Sequence, residues 1–328
     1  METPLISIIT PAYNNAHLLH RLFDSILSQT YQNIEMFLID DGSYDNTKEV
    51  TENYISKFAE RGYTLTYVHQ KNAGQSAAIN NGLKLIKGEY LLWPDSDDFY
   101  ATTNAIESLY KALSNADKDT EIARCAINYI DESTLTIIGT CKKITKTSLF
   151  YDCLLSTNDF YFVPGGYMIK TKNLDKYIPG REIYTEKRAG QNWQLFLPYF
   201  YGKKCITLTE PMYNVVCRSD SHSRAARPTY EQRTEMLDVY QRTIIETINR
   251  TPIIPQKEKA LYNKMVIEKY YNQKLIDAIK TADQNIISEL YSTAKSQDIK
   301  IAFKTKLQLQ YPFIYNVLSI IKRALLNK

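Results

Sequence analysis

At 328 residues the chain can bury one large core or two modest ones, and its 44% hydrophobic and 23% charged residues are ordinary for a globular protein. A net charge of +4 gives no reason to expect nucleic acid, and no stretch approaches the roughly 18 uninterrupted apolar residues that span a bilayer. Five cysteines without a CxxC pair, and a start that runs from Met1-Glu2-Thr3-Pro4 straight into a strand, lead to the expectation of a cytoplasmic protein with unbridged thiols and no secretion signal.

The first hundred residues alternate strand and helix. Leu5 to Ile9 is a short apolar run that Pro11 breaks. His17 to Ser28 places Leu18, Leu19, Leu22, Phe23, Ile26 and Leu27 at helical spacing. Ile34 to Ile39 is a second strand, stopped by Asp40-Asp41-Gly42-Ser43, and a helix follows from about Thr47 to Arg61. Thr64 to His69 is a third strand, Ser76 to Ile86 a third helix, and Leu91 to Trp93 part of a fourth strand. Strands separated by helical patterns of this length predict βαβ crossovers and a mainly parallel sheet. Beyond Thr103 the pattern loosens. Ile106 to Leu113 is helical, Ile122 to Ile138 mixes strand and turn, and Gly165-Gly166 after Pro164 marks a tight loop. Trp193 to Tyr201 is a helix with an expected interruption near Pro198, and the chain is helical from Tyr230 onward.

The strand ends carry the chemistry. Gly88-Glu89-Tyr90-Leu91-Leu92-Trp93-Pro94 runs into Asp95, Asp97 and Asp98. Carboxylates gathered at the carboxyl edge of an α/β sheet repel unless a cation offsets them, and Mg²⁺ or Mn²⁺ suits oxygen ligands shared with a diphosphate. In the first loop, Thr10 to Asn15, Pro11 fixes the backbone and Tyr13 offers a ring for stacking. In Asp40-Asp41-Gly42-Ser43 a carboxylate can accept the imide N–H of uracil or thymine. Asn72 to Ser76 leads into a helix whose amides can face an anion. Each has a plain alternative as turn, cap or acidic loop. Their recurrence at successive strand ends favours a shared site.

Ser7 to Asn14, Leu38 to Ser43, Gly74 to Gly82, and Gly88-Glu89-Tyr90 with Asp95-Ser96-Asp97-Asp98 together resemble a family 2 glycosyltransferase. The resemblance is strong over residues 5 to about 103, weak over 150 to 224 and absent from the last hundred. It implies a GT-A fold (a Rossmann-like α/β sheet flanked by helices), a nucleotide-diphosphate-sugar donor and a divalent metal, Mn²⁺ or Mg²⁺. By position, Pro11 and Tyr13 line the base pocket, Asp41 meets the base, Asp95 and Asp97 form a D-x-D pair that holds ribose or metal and the diphosphate, and Asp98 faces the donor sugar. The expected reaction is inverting displacement by an acceptor hydroxyl, with a general base taking its proton.

Family members often carry a Glu-Asp pair at the head of a late helix, and here Gln191 and Asn192 stand in those positions. A neutral amide is no base, so Glu186, Asp98 and His222 become the alternatives, with Glu186 weighed against a surface ion pair beside Lys187 and Arg188. Gln191, Asn192 and Trp193 suit an acceptor site, and Arg218 with His222 suits the diphosphate.

The expected organisation is a GT-A domain over 1–225, nucleotide-binding in 1–103 and acceptor-binding in 104–225, with a helical extension over 226–328. Residues 312–326 carry an apolar stripe with Lys322 and Arg323 largely outside it. That helix either touches an anionic membrane at the inner face of the cell membrane or packs on the core or on a second copy in a homodimer. The expected acceptor is a saccharide or lipid-linked saccharide of surface-polysaccharide synthesis. Two rivals remain, a non-catalytic sugar-nucleotide-binding protein and a nucleotidyltransferase.

Overall fold

The computed structural model describes residues 3–141, 146–158, 160–186, 188–218, 229–281 and 283–310. The expected helix over 312–326 and His222 lie outside them. By its contacts the chain divides into two units, Met1–Ala225 with Glu246–Gln256, and Ala226–Ile245 with Lys257–Lys328.

The first unit begins with β1 (Ile6–Ala12), α1 (Ala16–Leu27), β2 (Ile34–Asp40), α2 (Thr47–Glu60), β3 (Thr64–His69), α3 (Gln75–Leu85) and β4 (Tyr90–Leu92). Every residue of β1, β2 and β4 is buried, as continuous apolar runs in a parallel sheet require. Helix α1 buries Leu18, Leu19, Leu22, Phe23 and Ile26, each side chain contributing about 1.5–3 kcal/mol. The expected break at Pro11 does not occur, since β1 runs through it and pairs Pro11 with Ile39 and Ala12 with Asp40. Pairing with β4 stops at Ile8, so beyond it β1 has a partner on one side only, where a strand tolerates proline.

Then come β5 (Phe99–Tyr100), α4 (Ala105–Ser114), β6 (Thr120–Asp131), β7 (Ile137–Thr140), α5 (Phe150–Leu155), β8 (Tyr167–Lys170), α6 (Leu174–Tyr177), α7 (Gln191–Phe200) and β9 (Lys204–Cys217). The described strands form one sheet in the order β3-β2-β1-β4-β8-β6-β9-β5, with β7 beside β6. β1 to β4 are mutually parallel, β6 and β9 are parallel, and the remaining pairs are antiparallel. The expected interruption of α7 is also absent, for Pro198 lies inside the helix. Proline there removes one hydrogen bond near the helix end, and Tyr201 N–H still reaches Leu197 O at 3.1 Å. Strands β8 and β9 were not foreseen.

At the edge of the sheet where β1 and β2 begin, Glu35 is buried and its Oε1 accepts from Ser7 Oγ at 2.6 Å, Lys87 N–H at 2.7 Å and Gly88 N–H at 3.1 Å. A buried carboxylate with three donors is satisfied, and it fixes the start of β4 against β1.

α8 (Tyr230–Arg250) precedes α9 (Gln256–Thr281), α10 (Gln284–Ser296) and α11 (Phe303–Gln310). Within the second unit, Lys274 pairs with Asp238, and the Tyr271 hydroxyl donates to Leu290 O at 2.7 Å. Asp283 caps α10 by accepting from Asn285 and Ile286 N–H. Among the described residues no helix is long and apolar enough to cross a membrane.

Candidate active site

Four loops leave the carboxyl ends of β1, β2, β3 and β4, and each is hydrogen-bonded to another. Asn14 N–H donates to Ser43 Oγ at 2.9 Å, and Tyr44 N–H returns to Asn14 Oδ1 at 3.0 Å. Asn15 Nδ2 reaches Ser96 Oγ at 2.8 Å. Asn72 Nδ2 donates to Asp41 O at 2.9 Å, and Gln75 Nε2 to Asp95 Oδ1 at 3.0 Å. At Gly42 φ is +80°, and a Cβ there would stand 2.8 Å from Asn72 N, so only glycine lets the second loop meet the third.

The acids do different work. Asp41 is buried; its Oδ1 accepts from Ala73 N–H at 2.8 Å and Gln70 Nε2 at 2.7 Å, and its Oδ2 from Gly74 N–H at 2.9 Å. Two amides expected to face an anion therefore face Asp41. Asp40 Oδ1 accepts from Ser43 N–H, and its Oδ2 from the Tyr67 hydroxyl at 2.6 Å. Asp45, which sequence reasoning passed over, accepts from Ala16 N–H at 3.0 Å and from both Thr47 N–H and Thr47 Oγ1. It thus caps α1 from another loop while Asn15 is spent on Ser96. Burial pushes the Asp45 carboxyl up, but hydrogen bonds from Thr47 and Ala16 outweigh this and hold it below the usual range.

Asp95 stands at the junction, receiving Gln75 from one side and Gln191 Nε2, at 3.3 Å, from the head of α7. Loss of hydration in this crowded corner, and then the Asp97 carboxylate, push the Asp95 carboxyl up to about 7 against those two amides. Asp97 Oδ2 meets Arg218 Nη1 at 3.3 Å. Asp98 is buried, and its Oδ1 accepts Val216 N–H of β9 at 2.8 Å.

Among the described residues no group of three or more His, Cys, Asp and Glu is placed to hold a metal. Asp95 and Asp97 offer a two-carboxylate set, which suits Mg²⁺ or Mn²⁺ bound partly through substrate phosphates. The two carboxylates lie close enough for one charge to bear on the other, and as a pair of oxygen donors they fit such an ion.

The remaining candidates are divided. Pro11 is buried inside β1, whereas Tyr13 is exposed at the rim, edge-on to Tyr44. The Tyr184 hydroxyl donates to Glu186 Oε2 at 3.1 Å, and Ser76 Oγ ties the same loop to α3 through Ala189 O at 2.7 Å. Gln191 is fully buried, and its Oε1 has no hydrogen-bond partner among the described residues. Asn192 Nδ2 donates to Phe162 O, tying α7 to the segment before β8, and Trp193 Nε1 donates to Cys153 O of α5. Sequence reasoning also missed Tyr213. It is fully buried on β9, with a hydroxyl that has no hydrogen-bond partner among the described residues. Burial, and then the charges of Asp98, Asp95 and Asp97, keep it from ionising. A Cβ on Gly165 would stand 2.1 Å from its Cζ. The only signal in the sequence was the Gly165-Gly166 pair.

This sheet, with its acidic corner at the strand ends, is a GT-A fold. Residues 7–178 match the Glycosyl transferase family 2 model, and the chain belongs to that family. An uncharacterised glycosyltransferase of Rickettsia typhi is 38% identical over 130 residues, covering 40% of this chain and 38% of its own length. Glycosyltransferase GlyG of Streptococcus pneumoniae is 42% identical over 130 residues, 39% of this chain and 41% of its own. The match thus spans about two fifths of each relative. Staphylococcus aureus TarS 1–349, solved with UDP-GlcNAc, superposes with a TM-score of 0.59 at 19% identity, over 81% of this chain and 72% of TarS 1–349. The mannosyltransferase PcManGT of Pyrobaculum calidifontis, solved with GDP-Man and Mn²⁺, gives a TM-score of 0.51 at 17% identity, over 99% of this chain and 86% of that one.

Proposed function

We propose that the chain transfers a sugar, with inversion, from a UDP-linked donor to a saccharide or lipid-linked saccharide acceptor in surface-polysaccharide synthesis. The observation that carries this reading is the acidic corner, where Asp95 and Asp97 sit at the meeting point of interlocked strand-end loops and of the α7 head. Family membership and the UDP-GlcNAc of TarS support the donor class, and the Mn²⁺ of PcManGT supports the metal.

In this reading Tyr13 stacks on the base. An ionised carboxylate has about four acceptor positions, and the three donors on Asp41 leave one for the base N–H. Asp95 and Asp97 hold Mn²⁺ or Mg²⁺ with the diphosphate. When bound, the ion stabilises the charge gathering on the leaving group. Asp98 orders β9 beside the donor sugar through Val216. Glu186, on the loop before α7, takes the acceptor proton while Gln191, Asn192 and Trp193 border the acceptor. A second reading, donor binding without turnover, is favoured by the amides of Gln191 and Asn192 where the family resemblance leads one to look for acids.

Calorimetric titration of UDP-sugars with and without Mn²⁺ tests the proposal. The expected result is Mn²⁺-dependent binding that Asp97→Asn and Asp95→Asn abolish. Donor binding indifferent to both substitutions overturns it, and donor binding with no turnover over a broad acceptor panel selects the second reading.

A further inference from the structure

Arg218 follows β9 immediately and lies opposite Glu132, because Cys217 and Asp131 are register partners one residue earlier. Its guanidinium stands between two carboxylates, with Nη1 3.3 Å from Asp97 Oδ2 and Nε 3.9 Å from Glu132 Oε1. The Arg218 side chain is 11% exposed, against 27% for Asp97 and 37% for Glu132, so the contact with Asp97 is the closer and the better shielded of the two. Asp97 is also one of the two acids read here as holding the cation. A divalent ion approaches a carboxylate oxygen to about 2.0–2.6 Å, so ion and guanidinium on the same oxygen would repel at short range with little water to screen them.

We infer that Arg218 is a place-holding cation: its guanidinium occupies Asp97 while no metal is bound, and metal binding moves it toward Glu132. The inference rests on the assignment of the metal to Asp95 and Asp97. The guanidinium offsets part of the acidic charge until the ion arrives, which helps the corner fold without its metal. The Glu132 carboxylate gives the displaced guanidinium a second seat, so the exchange needs only a side-chain swing. It follows that the protein binds bare metal weakly, because metal must first displace an internal cation.

The test is Mn²⁺ alone, without nucleotide, titrated into the full chain and followed by the electron paramagnetic resonance of free Mn²⁺. Arg218→Met is expected to tighten Mn²⁺ binding at least ten-fold, and Glu132→Gln, which removes the second seat, to weaken it several-fold. Thermal unfolding checks that each variant is folded, and Glu132→Gln decides the matter if Arg218→Met is not. Mn²⁺ affinity unchanged in both variants, with Asp97→Asn abolishing binding, overturns the place-holder while leaving the metal assignment standing. Mn²⁺ binding that survives Asp97→Asn overturns the assignment and the inference together.

Discussion

The side-chain amide of Gln191 and the carboxylate of Asp95 meet at 3.3 Å, joining the head of α7 to the end of β4 across 96 residues of sequence. The family resemblance leads one to look for an acid at Gln191, but the geometry selects a donor. Gln191→Glu would set a second, fully buried carboxylate against one that burial and Asp97 already push up. The expected outcome is a loss of about 1–3 kcal/mol in urea unfolding without metal. Unchanged stability would show that this position accepts either group.

Glu186 carries a kinetic prediction. Glu186→Gln keeps the shape of the side chain and an acceptor for the Tyr184 hydroxyl. Turnover should fall about 10²–10⁴-fold with donor affinity intact. Full turnover in the variant removes Glu186 from the mechanism and turns attention to other acids near the acceptor.

Gly165 and Tyr213 form one packing unit. A methyl group at residue 165 has no room beside the Tyr213 ring, so Gly165→Ala should cost about 1–3 kcal/mol. Adding Tyr213→Leu should recover part of that loss, because the ring end that collides is gone. Strictly additive losses in a double-mutant cycle would contradict this coupling.

Asp45 predicts a pH dependence. Its carboxyl is held below the usual range in the folded protein, so its contribution to stability is fully present above the unfolded value of about 4 and is lost as pH falls toward the folded value. Asp45→Ala should cost about 0.5–2 kcal/mol at neutral pH, as the loss of a capping acceptor does. It should also flatten the decline in stability below about pH 4. An identical acid limb in variant and wild type would show that Asp45 does not contribute.

Much of the first hundred residues was legible because the signals there are local. Leu18, Leu22, Phe23 and Ile26 announce α1, and Asp40 to Ser43 announce the end of β2. Strand β9 was not legible, because Glu210-Pro211 interrupts its alternation and its pairing with β6 shifts register there. The helix through Pro198 was misjudged because a proline near a helix end removes little. In the site, residue types at strand ends pointed to the acidic corner, but no pattern in the chain could tell that Asn15 bonds Ser96 or that Asp41 is enclosed by Gln70, Ala73 and Gly74. Those partners lie roughly 30 to 80 positions apart and become neighbours only when the sheet forms.

The mutual stitching of the strand-end loops has a consequence for recognition. Asn14, Asn15, Asn72 and Gln75 each bind a neighbouring loop, so the rim is assembled once, when the chain folds. A visiting nucleotide then finds its pocket already shaped and gives up little freedom on the protein's behalf.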